Sequence, residues 1–329
     1  MTLLNTPVAF IGIGNMGLAM ALRLRDAGQA VRVCDIDMAR CAEAAAAGAV
    51  VAGSPAQVAT GCALLVIAVV DAAQTEAVLF GDGQQPGDGQ QPGDGRQPGA
   101  AAALPPGATV MLCPTIAPAD VARFAARLAA AGLGCIDAPM SGGPARARDG
   151  TMSLMVACAS PLWALHEPLL RHLAARLFHL GPRPGDGART KLVNNLLAAI
   201  NLAGAAEAIA LAQRLGLDAA QTLAVIEQSS GQSWVGSERM ARALAGDYAP
   251  RAHTTLLAKD SALALGMAAE AGVRPLLGAQ AGAMFQAALA AGYGPRDDAS
   301  MLDWVSQQWA AAGSAAQPHP APSGPPLPG

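Results

Sequence analysis

Aromatic side chains are scarce in this chain, only 3% of its 329 residues, and charged side chains make up just 14%. So little charge excludes disorder through self-repulsion, and 52% hydrophobic residues supply ample material for buried helix and sheet surfaces. Basic residues do not cluster, and 21 Lys and Arg against 24 Asp and Glu leave a net charge of −3, so no nucleic-acid partner is expected. No C-x-x-C pair occurs among Cys34, Cys41, Cys62, Cys113, Cys135 and Cys158; several fall inside apolar strand-like runs, as buried reduced thiols do. His166, His172, His179 and His253 form no H-E-x-x-H or similar array, so no metal is expected. The start, "MTLLNTPVAF", lacks a basic leader. The longest apolar helical stretch, Leu192 to Ala212, is interrupted by Asn194, Asn195, Asn201 and Glu207. The expectation is a soluble, cytoplasmic protein with no membrane span.

What is present has a clear rhythm. Apolar strand-like runs at 7–13, 30–34, 63–70, 108–113 and 133–137 alternate with Ala-rich segments of helical period such as 16–28 and 118–131. Such alternation means βαβ units and a parallel sheet. From residue 187 onward long Ala/Leu helical runs replace it, and the turn-rich "GPRPGDG", 181–187, marks the change. The expected architecture is α/β: a Rossmann-type, doubly wound parallel sheet over 1–186, then an all-α domain over 187–312 joined by a long helix. Two segments stand outside it. Residues 81–98 are three tandem hexapeptides, GDGQQP, GDGQQP and GDGRQP, expected with Gly99 to form a disordered surface loop; they lack the ligand count calcium needs. The Pro-rich tail, 313–329, is expected to be disordered.

"VAFIGIGNMGLAMALRLRDAGQAVRVCDID" places Gly12, Gly14 and Gly17 in G-x-G-x-x-G spacing between a strand and a helix. Glycines there permit a tight turn and close approach of backbone to a pyrophosphate, which the helix N-terminus stabilises. The apolar run that follows ends in Asp35, where a ribose-binding acid is expected. A carboxylate accepts from a 2′-hydroxyl and repels a 2′-phosphate, so NAD is favoured over NADP, although Arg32 and Arg40 lie near enough in sequence to hold a phosphate.

Two further stretches carry polar chemistry. In "DAPMSGGPARARDGT", 137–151, Ser141, Gly142 and Gly143 offer a hydroxyl and open backbone N–H groups, a turn able to grip a carboxylate. In "GARTKLVNNLL", 187–197, Lys191, Asn194 and Asn195 stand at i, i+3 and i+4 of an otherwise apolar helix and are expected on one face. A lysine at an apolar site has a depressed pKa, which suits proton exchange with a hydroxyl as a hydride leaves its carbon.

Taken together these motifs resemble the β-hydroxyacid dehydrogenases, the group of 3-hydroxyisobutyrate dehydrogenase, tartronate semialdehyde (2-hydroxy-3-oxopropionate) reductase and L-threonate dehydrogenase. "FIGIGNMG", "DAPMSGGPARARDGT", "GDGARTKLVNN" and the "KD" at Lys259 and Asp260 appear in the family's order across roughly residues 7–310. The resemblance implies that Gly12, Gly14, Asn15, Met16, Gly17 and Asp35 hold NAD or NADP, and that Lys191 is the catalytic lysine. It further implies that Asn195 supports substrate, that Ser141, Gly142 and Gly143 bind its carboxylate, and that Thr115 and Lys259 lie on the nicotinamide side. Pro114 departs from the usual serine of the family's Ser-Thr pair. A small hydroxy acid is the implied substrate, no metal is needed, and a homodimer or homotetramer is implied.

Within the fold, 6-phosphogluconate dehydrogenase carries K-x-x-H-N where this chain has Asn194, imine reductases typically lose the lysine, and chromatin-associated scaffold relatives replace it. Residues 229–260, with G-x-S-W and "GDYAPR", resemble the L-threonate branch, which suggests a four-carbon sugar acid; the alternatives are 3-hydroxyisobutyrate, tartronate semialdehyde and a non-catalytic NAD(P)-binding scaffold.

Overall fold

The computed structural model describes residues 5–81 and 98–315. The hexapeptide repeat, except its first and last residues, and the tail from 316 on lie outside the described residues.

The first unit is built on Val8–Ile11 (β1), Asn15–Asp26 (α1), Val31–Cys34 (β2), Met38–Ala46 (α2), Val50–Val51 (β3), Pro55–Ala59 (α3), Leu64–Ile67 (β4), Ala72–Phe80 (α4), Thr109–Leu112 (β5), Pro118–Ala130 (α5) and Gly134–Asp137 (β6). The six strands form one parallel sheet ordered β3-β2-β1-β4-β5-β6, the doubly wound order, with the direction of winding switching between β1 and β4. The strand-like runs of the sequence hold β1, β2, β4, β5 and β6. Residues alternate between two buried faces: Val8, Phe10, Leu64, Val66 and Met111 pack with Leu18, Met20 and Leu24 of α1. Ala9, Ile11, Leu65, Ile67, Val110 and Leu112 pack with Val121, Phe124 and Leu128 of α5. Because helices cover both faces, these strands read as continuous apolar runs. Only β3 escapes the pattern, since Val50 and Val51 are exposed at the sheet edge. All six cysteines are buried and unpaired.

A second sheet was not legible in the sequence. Met140–Ser141 (β7), Met152–Val156 (β8) and Ala174–His179 (β9) form it, with Gly143–Asp149 (α6) and Ser160–Leu173 (α7) between them. β7 runs antiparallel to β8 and β8 parallel to β9. β7 is only two residues long and β9 is largely exposed, so neither carries the apolar signature of a core strand.

Then follow Asp186–Arg214 (α8), Ala219–Glu227 (α9), Trp234–Leu244 (α10), Thr254–Glu270 (α11), Leu276–Ala290 (α12) and Met301–Ala315 (α13). α8 starts within the turn-rich segment, and α13 runs on to Ala315. By packing, residues up to Leu197 join Lys259–Ala279 in one compact unit, and Ala198–Ala258 joins the residues from Gln280 in the other. The second unit has its own core, with Leu202, Ile209, Met240, Phe285 and Met301 buried. Beside it lies an ion cluster: Arg242 Nη1 is 3.0 Å from Asp297 Oδ1, and Arg239 Nε donates to Asp298 Oδ1 at 2.5 Å. Asp297 is fully buried and also accepts from the backbone N–H of Arg251.

Among the described residues α8 is the one helix long and apolar enough by composition to cross a membrane. The polar residues expected to disqualify it do not do so by composition. Its most apolar window is 44% buried, and it carries the buried Lys191 and Asn195, as the core helix of a folded domain does.

Candidate active site

Strand β1 delivers the Gly-rich turn to the point where the sheet changes its winding direction. Gly12 has φ +85, and a Cβ there would stand 2.8 Å from the backbone of Ala68 and Val69 after β4; a Cβ at Gly17 would meet the Gly12 carbonyl oxygen at 2.0 Å. Those two glycines are dictated by packing within the chain. Gly14 is not: nothing lies within 4 Å of its would-be Cβ, and it heads α1 without a side-chain cap. The first turn of a twelve-residue helix thus presents N–H groups at an open backbone, an arrangement that fits a dinucleotide's pyrophosphate.

Asp35 closes this site from the end of β2. Its Oδ2 accepts from the Ile13 N–H at 2.5 Å and its Oδ1 from the Asp37 N–H at 2.8 Å. An ionised carboxylate has about four acceptor positions, so capacity for a ribose hydroxyl remains. Of the two nearby arginines only Arg40 reaches the turn, donating from Nη2 to Asn15 Oδ1 at 2.7 Å. Arg32 is committed to the Thr60 carbonyl at 2.6 Å. Met16 is half-buried beside Asn15 in the first turn of α1.

The polar face of α8 is resolved into a chain of contacts. Lys191 and Asn195 are buried at 8% and 9% exposure. Asn194 is not; expected on the same face, it is exposed and donates its amide to Asn195 Oδ1 at 3.0 Å. Asn195 Nδ2 in turn donates to Asp260 Oδ2 at 2.6 Å. Lys259 Nζ lies 2.8 Å from Asp260 Oδ1 as an ion pair without hydrogen-bond alignment, and donates to the Thr115 carbonyl at 2.5 Å. Asn195, Lys259 and Thr115 are therefore linked through Asp260, whose charge also acts on Lys191; the sequence shows Asp260 in a motif without assigning it to the site. Its signal was the "KD" pair itself, a carboxylate at 6% exposure in an apolar helix.

Burial pushes the Lys191 amine down to about 8, opposed by the negative charge of Asp260 and aided by the positive charge of Lys259. A lysine near 8 can exchange a proton in either direction close to neutrality. Pro114, where the resemblance led to expect a serine, is buried and offers no donor.

The Ser141 turn belongs to the second sheet. Ser141 pairs with Ser153 in the second sheet, and Gly142 has φ +129, a conformation L side chains rarely adopt. α6, which follows the turn, packs on α1 and is held there by the Arg148–Asp26 ion pair. Among the described residues no group of three or more His, Cys, Asp or Glu side chains is disposed to hold a metal ion. His166 is buried against Thr109 Oγ1 at 2.9 Å, and burial lowers its pKa to about 4.

Comparison with known proteins agrees with this geometry. Residues 7–181 match the family described as the NAD binding domain of 6-phosphogluconate dehydrogenase, and residues 185–305 match the NAD-binding domain of NADP-dependent 3-hydroxyisobutyrate dehydrogenase. An L-threonate dehydrogenase of Cupriavidus necator is 37% identical over 90% of this chain and 94% of its own length. A 3-hydroxyisobutyrate dehydrogenase of Pseudomonas aeruginosa is 35% identical over 85% of this chain and 91% of its own. The crystal structure of a 3-hydroxyisobutyrate dehydrogenase from Salmonella typhimurium superposes with a TM-score of 0.81 at 33% identity, covering 91% of this chain and 99% of that one. With a dinucleotide turn at the head of α1 and a buried lysine of lowered pKa on α8, the chain belongs to the β-hydroxyacid dehydrogenases, the NAD(P)-dependent enzyme family of 3-hydroxyisobutyrate and L-threonate dehydrogenases.

Proposed function

We propose that this dehydrogenase acts on a four-carbon sugar acid such as L-threonate, with Lys191 as its proton-transferring group. The observation that carries the reading is the Lys191 amine, nearly fully buried and brought down to about 8 beside Asn195 and Asp260. The bound nicotinamide supplies the hydride acceptor. Neutral Lys191 takes the hydroxyl proton as the C–H hydride departs, leaving a carbonyl on the substrate and an ammonium on the lysine. Ser141 with the N–H groups of Gly142 and Gly143 holds the carboxylate, and Asn195 orients the hydroxyl. Gly12, Gly14, Asn15, Met16 and Gly17 take the dinucleotide, with Thr115 and Lys259 on its nicotinamide side.

L-Threonate is favoured by the 37% identity to the Cupriavidus enzyme that acts on it; 3-hydroxyisobutyrate and tartronate semialdehyde are the alternatives, and a non-catalytic scaffold is the reading of another class. NAD is favoured over NADP by Asp35. The exposed Leu211, Leu215, Leu217 and Val225 of the second unit form apolar surface suited to a homodimer or homotetramer. In this reading the helical domain from 187 serves substrate and assembly, and the enzyme works in the cytoplasm.

Initial rates of NADH and NADPH formation with L-threonate, D-glycerate, 3-hydroxyisobutyrate, L-serine and 6-phosphogluconate test this. L-Threonate with NAD should give the highest kcat/KM. Brisk 3-hydroxyisobutyrate turnover beside a poor rate with L-threonate removes the sugar-acid reading, and silence across the panel with intact NAD binding leaves the scaffold.

A further inference from the structure

Asp137 ends β6 with a carboxylate that is 1% exposed. Its Oδ2 accepts from the N–H of Gly185 at 2.8 Å and of Ala188 at 3.1 Å, and the Gly187 N–H also donates to the carboxylate. These donors belong to the entrance and first turn of α8. Gly187 is a glycine because of this contact, since a Cβ there would stand 2.9 Å from Asp137 Oδ2 and 2.6 Å from the Met155 carbonyl oxygen. Both ends of this interaction lead to the site. Lys191 follows Ala188 by three residues on the same helix face, and Ser141 follows Asp137 by four residues along the chain.

We propose that Asp137 is a positioning residue that latches the start of α8 to the strand leading into the Ser141 turn, and so sets the Lys191 amine against the substrate carboxylate grip. It touches no reacting atom. The proposal rests on Lys191 and the Ser141 turn having the roles given above. Backbone links to the residue after β8 hold Asp137 itself: its N–H and C=O both pair with Ala157. A single carboxylate therefore receives the N–H groups that the first turn of a helix otherwise leaves without intrahelical partners.

The latch is sensitive to protons. Burial raises the Asp137 carboxyl to about 6 against the pull of its three N–H donors, and the charge of Asp186 raises it further. Around it stand Cys113 at the end of β5, Cys135 on β6 and Asp186 on α8, the last paired with Arg183 and Arg189. Protonation turns charge-assisted bonds into neutral ones, about half as strong.

The test compares wild type, Asp137→Asn and Asp137→Ala in the carbonyl-reducing direction from pH 5 to 9. Wild-type kcat should rise through about 6, as Asp137 ionises, and fall through about 8, as Lys191 loses its proton. Asp137→Asn, an equivalent of the protonated state, should keep the fall near 8, lack the rise near 6, and leave KM for NADH unchanged. Asp137→Ala should lose kcat on the order of a hundredfold, while Asp137→Asn should hold kcat near the acid-limb level of wild type, above that of Asp137→Ala. Amide hydrogen exchange supplies a readout independent of turnover: Gly185, Gly187 and Ala188 should lose protection in Asp137→Ala and keep it in Asp137→Asn. A preserved acid limb in Asp137→Asn, or wild-type protection of those amides in Asp137→Ala, overturns the latch. If wild type turns over no hydroxy acid, the function above fails and the exchange result still decides the latch; if Asp137→Ala does not fold, the Asp137→Asn pH profile decides it.

Discussion

Asn195 on α8 and Asp260 on α11, 65 positions apart, are joined by a 2.6 Å hydrogen bond from Nδ2 to Oδ2, with both side chains buried. That bond fixes the amide's orientation and sets a negative charge beside Lys191. Asp260→Asn should therefore lower the kinetic pKa of Lys191, because the charge that favours the ammonium is gone. A pH profile of kcat/KM is the measurement, and an unshifted basic limb would show that Asp260 does not act on the lysine.

Removing the amine has a larger effect. Lys191→Ala should cut kcat by roughly 10²- to 10⁴-fold while the Kd for NAD stays within error, since the dinucleotide turn lies on β1 and α1. The proposed reaction uses the neutral amine for hydroxyl oxidation, so the wild-type rate should accelerate as pH rises through about 8. Loss of NAD affinity in the alanine variant, by calorimetry or fluorescence, contradicts the role.

The same burial has a cost in stability. With its pKa lowered in the folded state, Lys191 binds fewer protons folded than unfolded between about 8 and its ordinary value near 10.5. Stability should thus increase with pH across that window. Lys191→Met removes the buried ammonium, so its Tm should exceed wild type at pH 7, with the gap shrinking towards pH 10; equal Tm values throughout would mean the amine is solvated.

Cofactor choice should turn on the end of β2. Asp35→Ala removes an acceptor and should weaken NAD on the order of tenfold, while Arg40, held at the turn through Asn15, stays in place to favour a 2′-phosphate. The ratio of kcat/KM for NAD to that for NADP should fall, and an unchanged ratio would assign the preference elsewhere.

In the helical unit, Arg242→Ala leaves fully buried Asp297 without its cation. Breaking such a pair costs about 3 to 5 kcal/mol, which denaturant unfolding of that unit would register. A loss below about 1 kcal/mol, the range of a surface ion pair, would show that the backbone donors suffice for Asp297.

The glycine spacing, the five core strands and the lysine on an apolar helix were all legible without coordinates, because each is a local pattern with a local cause. A strand buried on both faces must be apolar, and a backbone that meets a pyrophosphate must lack side chains. Asp137 and Asp260 were not legible as site residues. Each sits in a motif that reads naturally as something else, and each acts on groups 48 to 65 residues away. Arg32 and Arg40 looked equivalent by position, yet one is spent on Thr60 and the other reaches Asn15. The sequence by itself determined the doubly wound sheet, the glycine-rich turn at the head of α1 and the place of Lys191 on an apolar helix. Only the tertiary structure decided which carboxylate acts on that lysine, how far its pKa falls and what holds the start of its helix, because burial and long-range hydrogen bonds exist only once the chain has folded.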